Sequence, residues 1–460
     1  MVRIEPDNPQ SPRRPADLDE LLQIAAPQID ALPFSIGRFQ LDPPIDSSNI
    51  KPEHWIRIAK EIEDKYEDYQ GFVVLHGTDT LAYTASALSF LLQNLAKPVI
   101  LTGSQTPAGE PRNDAIENLI TALMIASPQI AHIPPVPEVC VLFRNKLMRG
   151  NRVRPESPTE YIGFSSPNYM DLGTSGDTIR INNRATRNPS EQRFYADKSF
   201  DSNVMAIRIF PGIKPSVLRG FLETKDLRGV VLEAYGAGNV PASADFLRAI
   251  GDAVEREIVV VVVSQSPKGT VALGLFDVSD KLREHGAVSG LDMTPEAALT
   301  KLGWLLGQGL TFKQVRDNMQ LNHSGEQSKS LFSIEYEHGK ATPTYSGPPL
   351  LFPSGLVKGN IESAHIRLQR VRRSDDEDGP LRIRLFVNLQ SADEETEPDP
   401  IHCIECPSYT CHENGITVIR PATEVAQTVI DEVRPTSLSI VSLDGAIEFE
   451  RATLTLVCRS

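Results

Sequence analysis

Gly71–Leu119 reads GFVVLHGTDTLAYTASALSFLLQNLAKPVILTGSQTPAGEPRNDAIENL, and its succession of apolar and polar runs decides the fold. FVVLH (72–76) and PVILT (98–102) are apolar without alternation, the mark of parallel strands covered on both faces. Residues 79–95 and 113–127 are expected to be the helices between the strands, and VCVLF within 138–143 supplies a third strand. Strands alternating with helices imply right-handed βαβ units in an open sheet. Ligands bind such sheets outside the carboxyl ends of the strands. His76-Gly77-Thr78-Asp79-Thr80 and Thr102-Gly103-Ser104-Gln105 fall at those ends.

Upstream, a Pro-rich tail precedes a helix expected over Ala16–Leu32, broken by Pro33, and a strand expected over Phe34–Leu41. DPPIDSSN (42–49) is a loop, and Trp55, Ile58, Ala59 and Ile62 then follow the i, i+3, i+4, i+7 spacing of an amphipathic helix. Downstream, residues 145–200 are irregular and predict a loop with a short hairpin. A second alternating series follows, with strands near 203–209, 229–234 and 257–263 and helices near 242–254, 272–285, 294–307 and 311–319. GKATPTYSGPPLLFPSG (339–355) reads as a Pro/Gly linker. Beyond it, AHIRLQRVRR, LRIRLFVNLQ and IEFERATLTLVC alternate apolar and polar residues, as half-buried antiparallel strands do. The expected fold is α/β: a doubly wound, mostly parallel domain (1–190), a smaller α/β domain (200–338) and an all-β accessory domain (356–460).

A chain of 460 residues suits two or three domains, since single cores stop growing near ~250–300 residues. Its net charge of −14 argues against a nucleic-acid partner, which needs clustered Lys and Arg. No apolar run reaches the roughly 18 residues that span a membrane, and MVRIEPDNPQSPRRP has no signal core. Five cysteines give an odd count, which is not the framework of a stapled secreted domain, so a cytoplasmic setting is expected. Cys140 lies in an apolar run and reads as core. His402-Cys403, Cys406 and Cys411-His412 gather metal-type ligands at a knuckle-like spacing, but the distant second pair of a zinc site is missing. Loop or buried cysteines are the default there.

Thr78, Asp79 and Thr80 admit two readings. A Thr or Asp ahead of a helix is commonly an N-cap, its oxygen accepting an orphan N–H. The same residues can make a site, with the carboxylate holding an ammonium group and a Thr hydroxyl acting as nucleophile or positioning group once a base removes its proton. His76, at a strand end, reads as a structural hydrogen-bonding residue. Lys268-Gly269, after Ser264-Gln265-Ser266, could border a regulatory or interface pocket.

The wider pattern favours the second reading. Asp46-Ser47-Ser48-Asn49, His76–Thr80, Leu101–Gln105, Arg112-Asn113-Asp114 with Glu117-Asn118, and Arg149-Gly150-Asn151-Arg152 stand in order over residues 30–325. Tyr235–Asn239 and Asp292-Met293-Thr294 with Glu296 continue them. In these the chain resembles the L-asparaginase family, cytosolic type I branch. The resemblance implies hydrolysis of L-asparagine to L-aspartate and ammonia by a Thr nucleophile, without metal or cofactor, in a homodimer or homotetramer. It implies a catalytic role for Thr78 in a proton relay and for Asp79, which also holds the substrate ammonium. Ser47 and Ser48 would face the α-carboxylate, and the backbone at Thr102 and Gly103 would line the amide pocket. The implied partner is a small molecule, with no nucleic acid and no membrane. Two other readings stand beside it: a non-catalytic relative that binds aspartate or asparagine, and the amidase subunit of a tRNA-dependent amidotransferase.

Two family features are missing. The Thr-Gly-Gly-Thr-Ile loop that carries the attacking Thr is absent from this sequence, together with its strand. Met1-Val2-Arg3 fits the position directly after it, so the expectation is a start at an internal Met, with strand one encoded upstream. The relay Lys of Gly-Asn-Arg-x-x-Lys is replaced in Gly150-Asn151-Arg152-Val153-Arg154-Pro155 by Pro155. Arg154 offers charge but no base, and Lys146 lies nine residues too early.

Overall fold

The computed structural model describes residues 2–3, 13–273, 277–341, 350–351, 361–373, 380–387, 403–405, 409–410, 416–421, 437–442 and 447–459. The chain divides into two compact units, Met1–Gln327 and Ser328–Ser460. No described helix is long and apolar enough to cross a membrane.

The first unit opens with α1 (Leu18–Ile24) and α2 (Ala26–Ile29). The single helix expected over Ala16–Leu32 is therefore two short ones. Pro27 stands in the first turn of α2, where its missing N–H costs nothing, but inside a continuous helix it would break the ladder. Phe34–Leu41 forms no strand; Phe34 and Ile36 instead pack with Leu22, Ile29 and Leu32 against Leu119 and Leu123. α3 (Pro52–Asp64) buries Trp55, Ala59 and Ile62, the face that the spacing predicts.

β1 (Phe72–Leu75), α4 (Leu81–Leu91), β2 (Val99–Thr102), α5 (Ala115–Ala126) and β3 (Val139–Phe143) follow, with β1–β2 and β2–β3 parallel. The sheet then turns antiparallel through β4 (Lys146–Arg149), β5 (Gly173–Ser175) and β6 (Ile179–Ile181), in the order β6-β5-β4-β3-β2-β1. The hairpin expected within 145–200 is β5–β6. Among the described residues β1 has a strand partner on one edge only.

The second sheet is fully parallel. It comprises β7 (Val204–Arg208), β8 (Gly229–Ala234), β9 (Val259–Ser264) and β10 (Val288–Ser289), in that order. Its helices are α6 (Pro215–Leu222), α7 (Ala244–Glu255), α8 (Asp277–Glu284), α9 (Pro295–Gly307) and α10 (Phe312–Met319). α4 is mostly apolar all round because it is buried all round; α9 is buried as thoroughly but carries Glu296, Thr300 and Lys301. One core joins them to β2, β3, β8 and β9 through Leu101, Val141, Val231 and Val261. Cys140 is buried in β3, as expected.

The end of this unit is bolted down by buried charge. Lys301 of α9 pairs with Glu326 at 2.7 Å, both fully buried, and donates to the carbonyls of Met319 and Leu321. Arg149 and Arg152 reach the Gly325 carbonyl, and Asn151 reaches that of Ser324. Burial and the Lys301 charge hold His323 down to about 4. Burial alone would raise Glu326, but Lys301, His323 and hydrogen bonds outweigh it and hold the carboxyl at about 2.

The linkage sign is the same for both groups. Between pH 6.5 and about 4 the unfolded His323 binds a proton that the folded one refuses, and between 4.5 and about 2 the same holds for Glu326. Stability is therefore lost as pH falls across both windows. Trp55 and Trp304, the only tryptophans, lie in this unit, so their fluorescence melting curves isolate it. The melting temperature is expected to drop steadily below pH 6.5, and His323→Gln to weaken the 6.5–4 section; an unchanged slope in that variant would exclude His323 as its source.

Among its described residues the second unit carries two four-stranded antiparallel sheets. One runs Lys329–Ala341, Ile447–Arg459, Ile361–Arg373, Ile416–Pro421; the other runs Leu350–Leu351, Ser437–Ser442, Ile383–Val387, Cys403–Glu405. Alternation buries Ala364, Ile366 and Leu368 along one strand and Ala452, Leu454 and Leu456 along its neighbour. Lys329–Ala341 pairs along its length with Ile447–Arg459, so the boundary falls between Gln327 and Ser328 rather than after residue 338. The Pro/Gly run was misleading because this strand begins ahead of it. Of the Cys/His cluster, Cys403 stands in a strand; His402, Cys406, Cys411 and His412 lie outside the described residues.

Candidate active site

The carboxyl ends of β1 and β2 are tied together by the His76 N–H, which donates to the Thr102 carbonyl at 2.9 Å. From there the chain turns through Gly77-Thr78-Asp79-Thr80 into α4. The Ser47–Asn49 turn closes over this one, with the Ser47 hydroxyl 3.3 Å from an Asp79 carboxylate oxygen. The Thr80 hydroxyl donates to the Ser47 carbonyl at 2.7 Å and makes no cap bond to α4. Thr80 therefore fastens one site segment to another, contrary to the capping reading.

Two glycines allow this closeness. A Cβ on Gly77 would lie 2.5 Å from the Ser47 hydroxyl oxygen, and one on Gly103 would lie 2.3 Å from the His76 carbonyl. Either side chain would push apart the segments that the site needs in contact.

Ser47 is buried while Asp79 is exposed, so the pair presents a carboxylate to solvent from a fixed hydroxyl neighbour. Asp79 stands at the N-terminal end of α4, where unbonded N–H groups complement an anion. Thr78 lies partly buried between His76 and Asp79. Ser48 is turned away in this arrangement: its hydroxyl and N–H both donate to Asp46, at 3.0 and 3.1 Å. The Thr102 hydroxyl is buried and donates to the Leu142 carbonyl at 2.8 Å, leaving the backbone at Thr102–Gly103 as the part that can line a pocket.

Asp114 and Asn118 support the site, although neither has a role in the sequence reading. The buried Asp114 carboxylate accepts the N–H of Gln105 at 3.1 Å and of Thr106 at 3.0 Å. Asn118 bonds both Asp114 and the Gly103 carbonyl, at 3.2 and 2.9 Å. The loop after β2 is thus held by α5. Asn118 follows Asp114 at i+4 spacing, which places both on one helix face, and that was the available signal.

The Gly150–Pro155 segment runs from a buried turn to an exposed edge. Pro155 is exposed and pairs with Phe164 in a short antiparallel ladder. Arg154 faces Glu296, 3.8 Å away, and Lys146 faces Asp171 at 3.4 Å. Burial raises the Glu296 carboxyl, and the Arg154 charge and hydrogen bonds pull it back only in part. Lys268 lines a cleft of about 410 Å³ with Lys146, Glu156, Ser166 and Asp171, away from Asp79.

Comparison with known proteins bears on the fold and the family. The family model "Asparaginase, N-terminal" matches residues 9–187, and "Glutaminase/Asparaginase C-terminal domain" matches 203–319. L-asparaginase 1 of Escherichia coli (strain K12) is 42% identical over 284 residues, which span 62% of this chain and 82% of that protein. The 60 kDa lysophospholipase of Homo sapiens is 38% identical over 289 residues, 62% of this chain and 49% of that protein. The crystal structure of L-asparaginase I from Vibrio cholerae superposes with a TM-score of 0.63 at 37% identity, covering 70% of this chain and 95% of that one. On its first unit, this chain belongs to the asparaginase family of amidohydrolases.

Proposed function

We propose that the chain hydrolyses the side-chain amide of L-asparagine to L-aspartate and ammonia by threonine chemistry, and that Thr78 and Asp79 carry it. The observation behind this reading is the joining of Ser47, Asp79 and the Thr102–Gly103 strand end at the carboxyl edge of β1 and β2. An α-amino acid needs an anion for its ammonium group and neutral donors for its carboxylate. Asp79 meets the first need, and Ser47 and Ser48, once released from Asp79 and Asp46, meet the second. Thr78, beside Asp79, would take part in the proton relay. Breaking the C–N bond releases ammonia, and water supplies the oxygen of the new carboxylate. A cytoplasmic homodimer or homotetramer is part of the same reading.

A second reading has its own observation. Pro155 cannot move a proton, and the two nearby cations face carboxylates of their own. Loss of a general acid–base partner lowers rates by roughly 10²–10⁴. A chain that binds L-aspartate or L-asparagine with little turnover fits this.

Ammonia release and calorimetry on the same preparations separate the two. The first reading expects slow ammonia release from L-asparagine, abolished in Thr78→Val and raised about a hundredfold or more in Pro155→Lys. Asp79→Asn is expected to weaken L-aspartate binding by about 10- to 100-fold, the worth of one charge-assisted contact. Binding without ammonia from either the parent or Pro155→Lys leaves the second reading. Absence of binding sinks both.

A further inference from the structure

We infer that Trp55, Thr84 and His76 form a one-way hydrogen-bond relay that fixes the Gly77–Thr78 peptide, which makes all three positioning residues for Thr78 and Asp79. The inference rests on the reading of those two residues as an amino-acid site. The Trp55 indole nitrogen lies 2.9 Å from the Thr84 hydroxyl oxygen. That oxygen lies 2.8 Å from His76 Nε2, and His76 Nδ1 lies 2.6 Å from the Gly77 carbonyl oxygen.

Elementary donor and acceptor rules place every proton. An indole N–H only donates and a carbonyl oxygen only accepts. Nδ1 must therefore carry a proton for Gly77. In a neutral ring Nε2 then accepts, and the Thr84 hydroxyl gives it its single proton while accepting that of Trp55. Thr84 is fully buried and Trp55 nearly so, which keeps water from substituting for either partner. Burial also lowers the tendency of His76 to take a second proton, against the Gly77 carbonyl and the charge of Asp79, which favour it.

The other tautomer would set the Nδ1 lone pair against the Gly77 carbonyl at 2.6 Å, a repulsive contact. The Gly77 carbonyl belongs to the same peptide plane as the Thr78 N–H. Rotating it away would turn Thr78 and Asp79 relative to Ser47. The relay thus carries orientation from α3, through α4, to the turn that faces the ligand.

The test combines a spectrum with a binding series on the full chain. Ring-¹⁵N histidine spectra, with His76 assigned by its loss in His76→Asn, are expected to show Nδ1 protonated and Nε2 unprotonated at pH 8. Thr84→Val removes the proton that Nε2 accepts. It is expected to move the Nε2 signal to that of an unbonded ring nitrogen, with Nδ1 still protonated, and to weaken L-aspartate binding about tenfold, one hydrogen bond's worth. Thr84→Ser keeps the hydroxyl and is expected to restore both the spectrum and the affinity. A protonated Nε2 in the parent, parental affinity in Thr84→Val, or failure of Thr84→Ser to rescue would each overturn the relay. If Thr84→Val does not fold, the parent spectrum and the Thr84→Ser affinity still decide. If the parent binds neither L-aspartate nor L-asparagine, the reading of the site fails instead, and the spectrum shows that separately.

Discussion

Lys301→Met is expected to lower the unfolding free energy of the first unit by roughly 3–5 kcal/mol, the usual cost of stranding one half of a buried ion pair. The ammonium of Lys301 sits 2.7 Å from Glu326 and bonds two carbonyls at the end of α10, those of Met319 and Leu321. Methionine fills nearly the same volume, so the loss is electrostatic rather than a cavity. Glu326 would keep the N–H groups of His323 and Ser324 but lose its countercharge. Its carboxyl would then rise from about 2, and the acid-sensitive range would move toward neutral pH. Adding Glu326→Gln in the same chain removes the stranded charge and is expected to recover most of the loss. Tryptophan fluorescence in urea measures this directly, since both tryptophans belong to the unit. A single variant within about 1 kcal/mol of the parent would contradict the account, since an uncompensated buried charge costs more than that.

The second large effect is expected at Asp114. Asp114→Ala leaves the N–H groups of Gln105 and Thr106 without their acceptor and frees Asn118 from one of its two bonds. Hydrogen bonds to a charged acceptor are worth about 1.5–3 kcal/mol each, partly recovered where water can reach the loop, so a net loss of about 2–4 kcal/mol follows. The Gly103 carbonyl is held by the same Asn118, so L-aspartate affinity should fall along with stability. Asp114→Asn keeps one acceptor oxygen and is expected to fall between parent and Ala. Calorimetry beside a melting curve checks both quantities. Parental binding in Asp114→Ala would show that the loop after β2 does not shape the ligand pocket.

Much of this arrangement is legible in the chain as written. FVVLH, PVILT and VCVLF announce buried parallel strands because nothing in them alternates, and β1, β2 and β3 follow. Trp55, Ala59 and Ile62 announce the buried face of α3 by spacing alone. What escaped depends on partners distant in sequence. Phe34–Leu41 reads like a strand, yet a strand needs a neighbouring ladder, and Phe34 and Ile36 found a helical cluster instead. The break at Pro27 was local and readable; the apolar periodicity on either side hid it. Asp114 looks like an ordinary helix start until the loop after β2 folds back onto it. The direction of the His76 ring bonds needs Thr84 and Trp55 together, and no single motif contains all three.

The closing segment Asn322–Gln327 has one more consequence. Lys301, Arg149, Asn151 and Arg152 grip it from inside the first unit, at sites that all precede Ser328. A hinge placed after Gln327 would leave every one of these bonds in place, so the junction is a natural cutting point for protein engineering. Another module could be spliced on there in exchange for the β-rich one while the grip on the amidohydrolase unit's last residues stays whole.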